Sequence, residues 1–153
     1  IMRSWLNTNF LDSAKIDSGL LISDNSNRFL LSGDYEDKKT GGDKDFYATH
    51  IPQLAARGYD EAIFSQTNDT VFLPDIKLIS DLYSDGFPVT SNISYWLETP
   101  YYNNGAMVRI VSPDGYIYFR DAKENCGVRP MIKIKPVQPS DGDGNRKKPF
   151  IID

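Results

Sequence analysis

Apolar and polar residues alternate along this chain in two distinct rhythms, helical in the first half and strand-like in the second. Trp5, Leu6 and Phe10 stand at helical spacing and predict a short helix with one buried face. Ile16, Leu20 and Leu21 extend that face, although Gly19 weakens a helix at that point. Residues 23–45 are crowded with Asn, Asp, Ser, Gly and Lys around the apolar island Phe29-Leu30-Leu31, a composition that predicts a long surface excursion holding a short strand. Ala48 to Arg57 predicts another short helix, with Pro52 near its first turn and Gly58 as its stop. Glu61 to Phe64 and Thr70 to Pro74 read as brief strands. Asp75 then caps a helix that gathers Ile76, Leu78, Ile79, Leu82 and Tyr83, and Gly86 closes it.

The second rhythm begins at Ala106. Two β-rich runs, Ala106 to Val111 and Tyr116 to Arg120, flank Ser112-Pro113-Asp114-Gly115, the signature of a hairpin. Val128 to Lys135 predicts a further strand, with Ile132 and Ile134 alternating with Lys133 and Lys135, and with Pro130 at a strand start, edge or bulge. Helices early and a strand meander late give the α+β order. After Pro136 the run Gln138 to Asn145 is polar and without periodicity. The expected organisation is therefore a single domain over 1–137 and a flexible polar tail over 138–153.

Composition narrows the function classes. The chain has 153 residues, long enough for one proper core, and nine Tyr and eight Phe supply large apolar surface for it. Its net charge is -4, and Arg146-Lys147-Lys148 is its single basic cluster, which argues against nucleic acid as a partner. The lone Cys126 excludes an internal disulfide framework and any multi-cysteine zinc site. No stretch reaches the ~20 apolar residues a membrane helix needs, so membrane insertion is not expected. The chain opens on Ile1-Met2 with no leader, which suggests a fragment or a processed chain, and display outside the cell is the favoured location.

Candidate chemistry is sparse. His50 has no second histidine for a metal site, and Cys126 lacks a base and orienter nearby in sequence. Asp141, Asp143 and Asn145 have the oxygen spacing that opens a calcium loop, but Ile152 stands where the bidentate Glu would be needed. No metal and no cofactor is expected, and the chain is not expected to be an enzyme. The most suggestive segment is Tyr95-Trp96-Leu97-Glu98-Thr99-Pro100-Tyr101-Tyr102-Asn103-Asn104, where rings, a carboxylate and two amides lie close together. Flat rings can stack on the apolar faces of sugars while amides bond hydroxyls. Trp96 and Leu97 are better suited to the core. Tyr101, Tyr102, Asn103 and Asn104, with Glu98, are the candidate ligand-binding residues.

Four segments read in order, Arg3-Ser4-Trp5-Leu6-Asn7, Asp69-Thr70-Val71-Phe72-Leu73, Tyr95-Trp96-Leu97-Glu98-Thr99-Pro100 and Gly127-Val128-Arg129-Pro130, resemble a bacterial domain family of unknown function. That family's pattern is R-x-W-L-N, D-x-V-F-L-L-S, W-W-L-R-S-P and G-V-R-P. Glu98-Thr99 here replaces Arg-Ser, and Pro74-Asp75 replaces Leu-Ser. The family is similar to the C-type lectin-like fold, including its formylglycine-generating-enzyme-like branch. The resemblance implies two short helices packed on a small twisted antiparallel sheet with long loops. It also implies framework roles for Trp5, Trp96 and the 127–130 turn, and a bond from Arg129 to buried carbonyls or a carboxylate. It transfers no catalytic residue, because the oxygenase relatives use two cysteines.

The function expected from these readings is a non-catalytic recognition module that binds a glycan or a protein through loops around 33–47 and 98–105, within a larger bacterial or phage surface protein. Two alternatives stand beside it. One is a structural or assembly domain, and the other an enzyme with a carboxylate site carried on loops.

Overall fold

The computed structural model describes residues 2–29, 49–57, 63–101, 105–136, 138–143, 147–148 and 151. The architecture is mixed α/β. The first helical run comprises α1 (Met2–Trp5), a widened π turn over Leu6–Phe10, and α2 (Leu11–Ser13). Lys15 closes it in the left-handed region at φ 52°, so the predicted continuation through Leu20 and Leu21 does not form. Instead a 3-10 turn, Ser18–Leu20, starts on the side chain of Asp17, which accepts from Gly19 N–H at 2.8 Å. The chain then enters β1 (Leu21–Ile22) and β2 (Asp24–Phe29).

After β3 (Thr49–His50) come α3 (Ile51–Arg57), β4 (Ile63–Asp69), β5 (Val71–Phe72) and α4 (Ile76–Ser84). Asp75 caps α4 as expected, its carboxylate accepting from Leu78 N–H at 2.8 Å, and Gly86 follows with φ 81°. Strands β6 (Tyr95–Pro100), β7 (Met107–Val111), β8 (Tyr116–Asp121) and β9 (Met131–Ile134) complete the fold. The predicted hairpin is present as β7–β8, with Gly115 at φ 83° in its turn. The last strand starts later than its apolar pattern suggested, at Met131. Pro130 offers no N–H to a ladder, and pairing begins just beyond it.

All strand ladders are antiparallel: one sheet in the order β3-β8-β7-β6, a second in the order β1-β9-β5, and a separate β2-β4 pair. The four-stranded sheet is apolar on both faces. One face places Tyr95, Leu97, Val111 and Ile117 against Ile51 of α3 and Ile76 and Ile79 of α4. The other places Trp96 and Ile110 against Leu6 of the first helical run and Val71 and Leu73 around β5, with Phe10, Val108 and Tyr118 at its margin. Helices thus cover both sides of the sheet. Trp5, expected in the framework, is 45% exposed and touches Phe10 at 5.8 Å between ring centroids. Leu6, about 100° further round the helix, is the residue that faces the sheet, at 1% exposure.

The segments that carried the family resemblance meet in space. Arg3 Nε donates to both carboxylate oxygens of Asp69, at 2.9 and 2.7 Å. The Asn7 amide clamps the backbone beside it: Oδ1 accepts from Thr70 N–H and Val71 N–H, each at 2.9 Å, and Nδ2 donates to Val71 C=O at 2.7 Å. Asn7 therefore gives β5 the pairing that a neighbouring strand would give. Gly127 N–H donates to Ser94 C=O at 2.8 Å, and Gly127 C=O accepts from Trp96 N–H at 3.0 Å. This approach is close enough that a Cβ on Gly127 would lie 3.1 Å from Ser94 O. Arg129 donates to the carbonyls of Val89 and Pro88 at 3.1 and 2.9 Å and lies 5.5 Å from the Tyr95 ring.

The described part of the tail is tied mainly to itself. Asp141 and Ile151 form an isolated bridge, and Lys148 pairs with Asp141 at 3.1 Å. The Gly142 N–H, and then Lys148, hold the Asp141 carboxyl below its ordinary range.

Candidate functional site

Two of the predicted ligand residues, Glu98 and Tyr101, lie in the described part of the chain; Tyr102, Asn103 and Asn104 lie outside the described residues, as does the 33–47 segment. Glu98 and Tyr101 do not form one surface. Trp96 and Glu98 belong to the sheet face that meets the first helical run, whereas Tyr101 packs with Arg109 and Phe119 of the opposite face. The β6–β7 register shifts between Trp96 and Pro100, and Tyr101 lies just beyond the end of β6.

Each of the two has a structural duty. Glu98 Oε1 accepts from Leu73 N–H at 3.0 Å, and Glu98 N–H donates to Pro74 C=O at 2.9 Å, so both ends of this residue hold the segment that leads from β5 to α4. Thr99 continues the pattern, its Oγ1 accepting from Ile76 N–H at 3.2 Å. Tyr101 is half-buried. Its ring stacks on Phe119 with centroids 4.0 Å apart, and the Arg109 guanidinium lies 4.8 Å from the Tyr101 centroid and 5.6 Å from that of Phe119. Tyr101 N–H also donates to Met107 C=O, and Ala122 N–H to Ala106 C=O. The chain on either side of residues 102–104 is therefore pinned to the sheet.

Replacing Glu98 by alanine leaves Leu73 N–H without this acceptor and is expected to cost about 1–3 kcal/mol of stability. Glu98→Gln keeps a side-chain oxygen in place and should unfold within about 0.5 kcal/mol of the parent in urea. A glutamine variant as unstable as the alanine variant would show that the carboxylate charge, not the hydrogen bond, holds the segment.

Sequence reasoning did not anticipate two concavities on the face that carries Glu98. The first is an apolar cleft of about 250 Å³ between α1, β5 and the β6–β7 pair, lined by Met2, Leu6, Phe72, Trp96, Val108 and Ala122 among others. Arg3 and Glu98 stand among its lining residues, and hydrogen bonding and charge from Asp69, with a smaller effect of Glu98, raise the Arg3 pKa. The second is a broad groove of about 640 Å³ along the β7–β8 hairpin, lined by Ser94, Ser112, Asp114, Tyr118, Arg120 and Glu124 among others. Its polar members are scattered between residues 94 and 124, and no linear motif announces them.

The two remaining candidates, His50 and Cys126, pack against other parts of the fold. His50 contacts the Tyr116 ring at 4.7 Å between centroids and packs on the β7–β8 turn, where a Cβ on Gly115 would lie 3.3 Å from its Nε2. Cys126 packs at the margin of the second core cluster, and burial pushes its thiol pKa up. Among the described residues, no three His, Cys, Asp or Glu side chains gather to hold a metal ion, and no helix is long and apolar enough to cross a membrane. Compared with known proteins, the chain matches no protein-family model, no curated protein and no solved structure.

Proposed function

We propose that this chain is a non-catalytic recognition module on a C-type lectin-like framework, binding a glycan or a protein as part of a larger bacterial or phage surface protein. The framework reading draws support from the way segments of the resemblance interlock: Arg3 and Asn7 on Asp69 and Val71, Glu98 on Leu73, and Gly127 on Trp96. The observation that carries the recognition reading is the pair of concavities, one apolar and one polar, on a single face of the four-stranded sheet. Binding sites are typically concave, with an apolar lining and a few placed polar groups. Here the sheet residues Trp96 and Val108 contribute to the apolar part, and Tyr118 and Arg120 to the polar part.

The test is a binding screen of the purified chain against a printed saccharide array and a displayed peptide library, each run with calcium and with chelator. Saturable binding to either class is the expected result. Ala122→Trp, which places a bulky ring at an exposed position on the cleft wall, should weaken a peptide ligand anchored there. Failure to retain any member of either class would overturn the reading.

A further inference from the structure

The geometry points to the groove along β7–β8 as a subsite for an uncharged, hydroxyl-rich ligand, a saccharide, an inference that rests on the recognition reading above. Three features define the ligand class. The first is charge: Arg120 pairs with Glu124 at 3.1 Å across the end of β8, with side chains 45% and 50% exposed, and Asp114 stands at the hairpin turn. Donors and acceptors of opposite sign therefore share one rim. An anionic ligand meets Glu124 and Asp114, and a cationic one meets Arg120. A neutral ligand whose hydroxyls both donate and accept satisfies all of them, since a guanidinium only donates and a carboxylate only accepts.

The second feature is orientation. The Ser112 hydroxyl donates to Asp114 Oδ1 and accepts from Tyr116 N–H at 3.1 Å, so the Asp114 carboxylate is turned by the hairpin that carries it. The third is a flat apolar surface. The Tyr118 ring lies in the groove lining and is set by its stack on Tyr116, with centroids 5.7 Å apart. A partly exposed ring beside a row of fixed polar groups suits a pyranose, which presents an apolar C–H face and equatorial hydroxyls together. The groove's volume of about 640 Å³ falls in the range of small-molecule sites.

The experiment uses the whole chain and the saccharides it retains from the printed array, with affinity measured by calorimetry. The double variant Arg120→Gln and Glu124→Gln replaces two half-exposed groups without touching the core, and its fold is checked by circular dichroism. It should lose at least about tenfold in affinity, as expected when hydrogen bonds to charged groups are removed. Tyr83→Ala, at an exposed position of α4 on the opposite face of the sheet, should stay within about twofold of the parent, inside the ordinary scatter of a distant substitution. Amide shifts in the ¹H–¹⁵N spectrum of the unaltered chain, titrated with the same saccharide, should concentrate at Ser94, Ser112 and residues 118–124. Equal affinity in the double variant, or shifts confined to other surfaces, overturns the groove and leaves the recognition module standing. Retention of peptides but of no saccharide overturns the groove alone, and retention of neither overturns both readings.

Discussion

Asn7→Ala is expected to lower the stability of the chain by about 2–4 kcal/mol, because it strips partners from Thr70 N–H, Val71 N–H and Val71 C=O in one step. Val71 is fully buried, and its edge of β5 has the Asn7 amide where a strand would otherwise pair. Each backbone group left dry costs roughly 1–3 kcal/mol, with water access at the partly buried positions reducing the total. The measurement is urea unfolding followed by tryptophan fluorescence, reading a shift of midpoint at constant slope. Thr8→Ala is the control. Thr8 lies next along the same π turn but is exposed, and its hydroxyl bonds to Ser4 C=O and Asn9 Oδ1, so loss of that hydroxyl should stay within about 0.5 kcal/mol. Asn7→Asp separates the donor from the acceptor: it still accepts from the two amides, but it cannot donate to Val71 C=O and sets a second carboxylate beside Asp69, where Asn7 Nδ2 now lies 3.4 Å from Asp69 Oδ1. It should fall at least as far as the alanine variant. An alanine variant within about 0.5 kcal/mol of the parent would show that the clamp contributes nothing.

The same clamp shows how much of the molecule local sequence could reveal. Helix α4 and the β7–β8 hairpin were legible because their signals are local: a capping Asp75 before a helical stripe, and Pro113 to Gly115 between two apolar runs. Strand β6 was not, because Tyr95, Trp96 and Leu97 are all buried and a strand covered on both faces shows no alternation. Strand β2 was hidden for the opposite reason, since Asp24-Asn25-Ser26-Asn27 has the composition of a loop and is extended by pairing with β4. The candidate site suffered most from the missed strand. Glu98 lies within β6 and Tyr101 just past its end, after a register shift between Trp96 and Pro100 that the sequence does not mark. The groove could not be found at all from the sequence, because Ser94 reaches it from outside β6 while Tyr118, Arg120 and Glu124 come from the far side of the hairpin. Arg3 with Asp69 and Gly127 with Trp96 are contacts across many residues that no periodicity encodes, and neither pairing was read from the sequence.

Arg109→Ala should produce the other large loss, about 3–5 kcal/mol, the range for truncating a large core side chain or one charged member of a buried cluster. Arg109 is fully buried in the middle of β7, and its guanidinium rests on Tyr101 and Phe119. Removing it opens a cavity and withdraws the cation from two rings, an attraction worth up to about 2 kcal/mol when desolvated. Arg109→Met restores most of the volume without the charge, so it should recover part of the packing loss and none of the cation–π attraction. The order parent, methionine, alanine in urea midpoint is therefore the expected result, and near-ultraviolet circular dichroism should report the loosened Tyr101–Phe119 stack in both variants. The consequence for recognition follows from position. Tyr101 directly precedes residues 102–104 in the chain, and the stack on Phe119 over Arg109 fixes the position of Tyr101 itself. A ligand that engages residues 102–104 should lose affinity in Arg109→Met even where the variant remains folded, whereas a saccharide held in the β7–β8 groove by Arg120 and Glu124 should be nearly indifferent. An alanine variant as stable as the parent would show that the buried cation is replaceable by water, and the stacked rings would then have to hold Tyr101 by themselves.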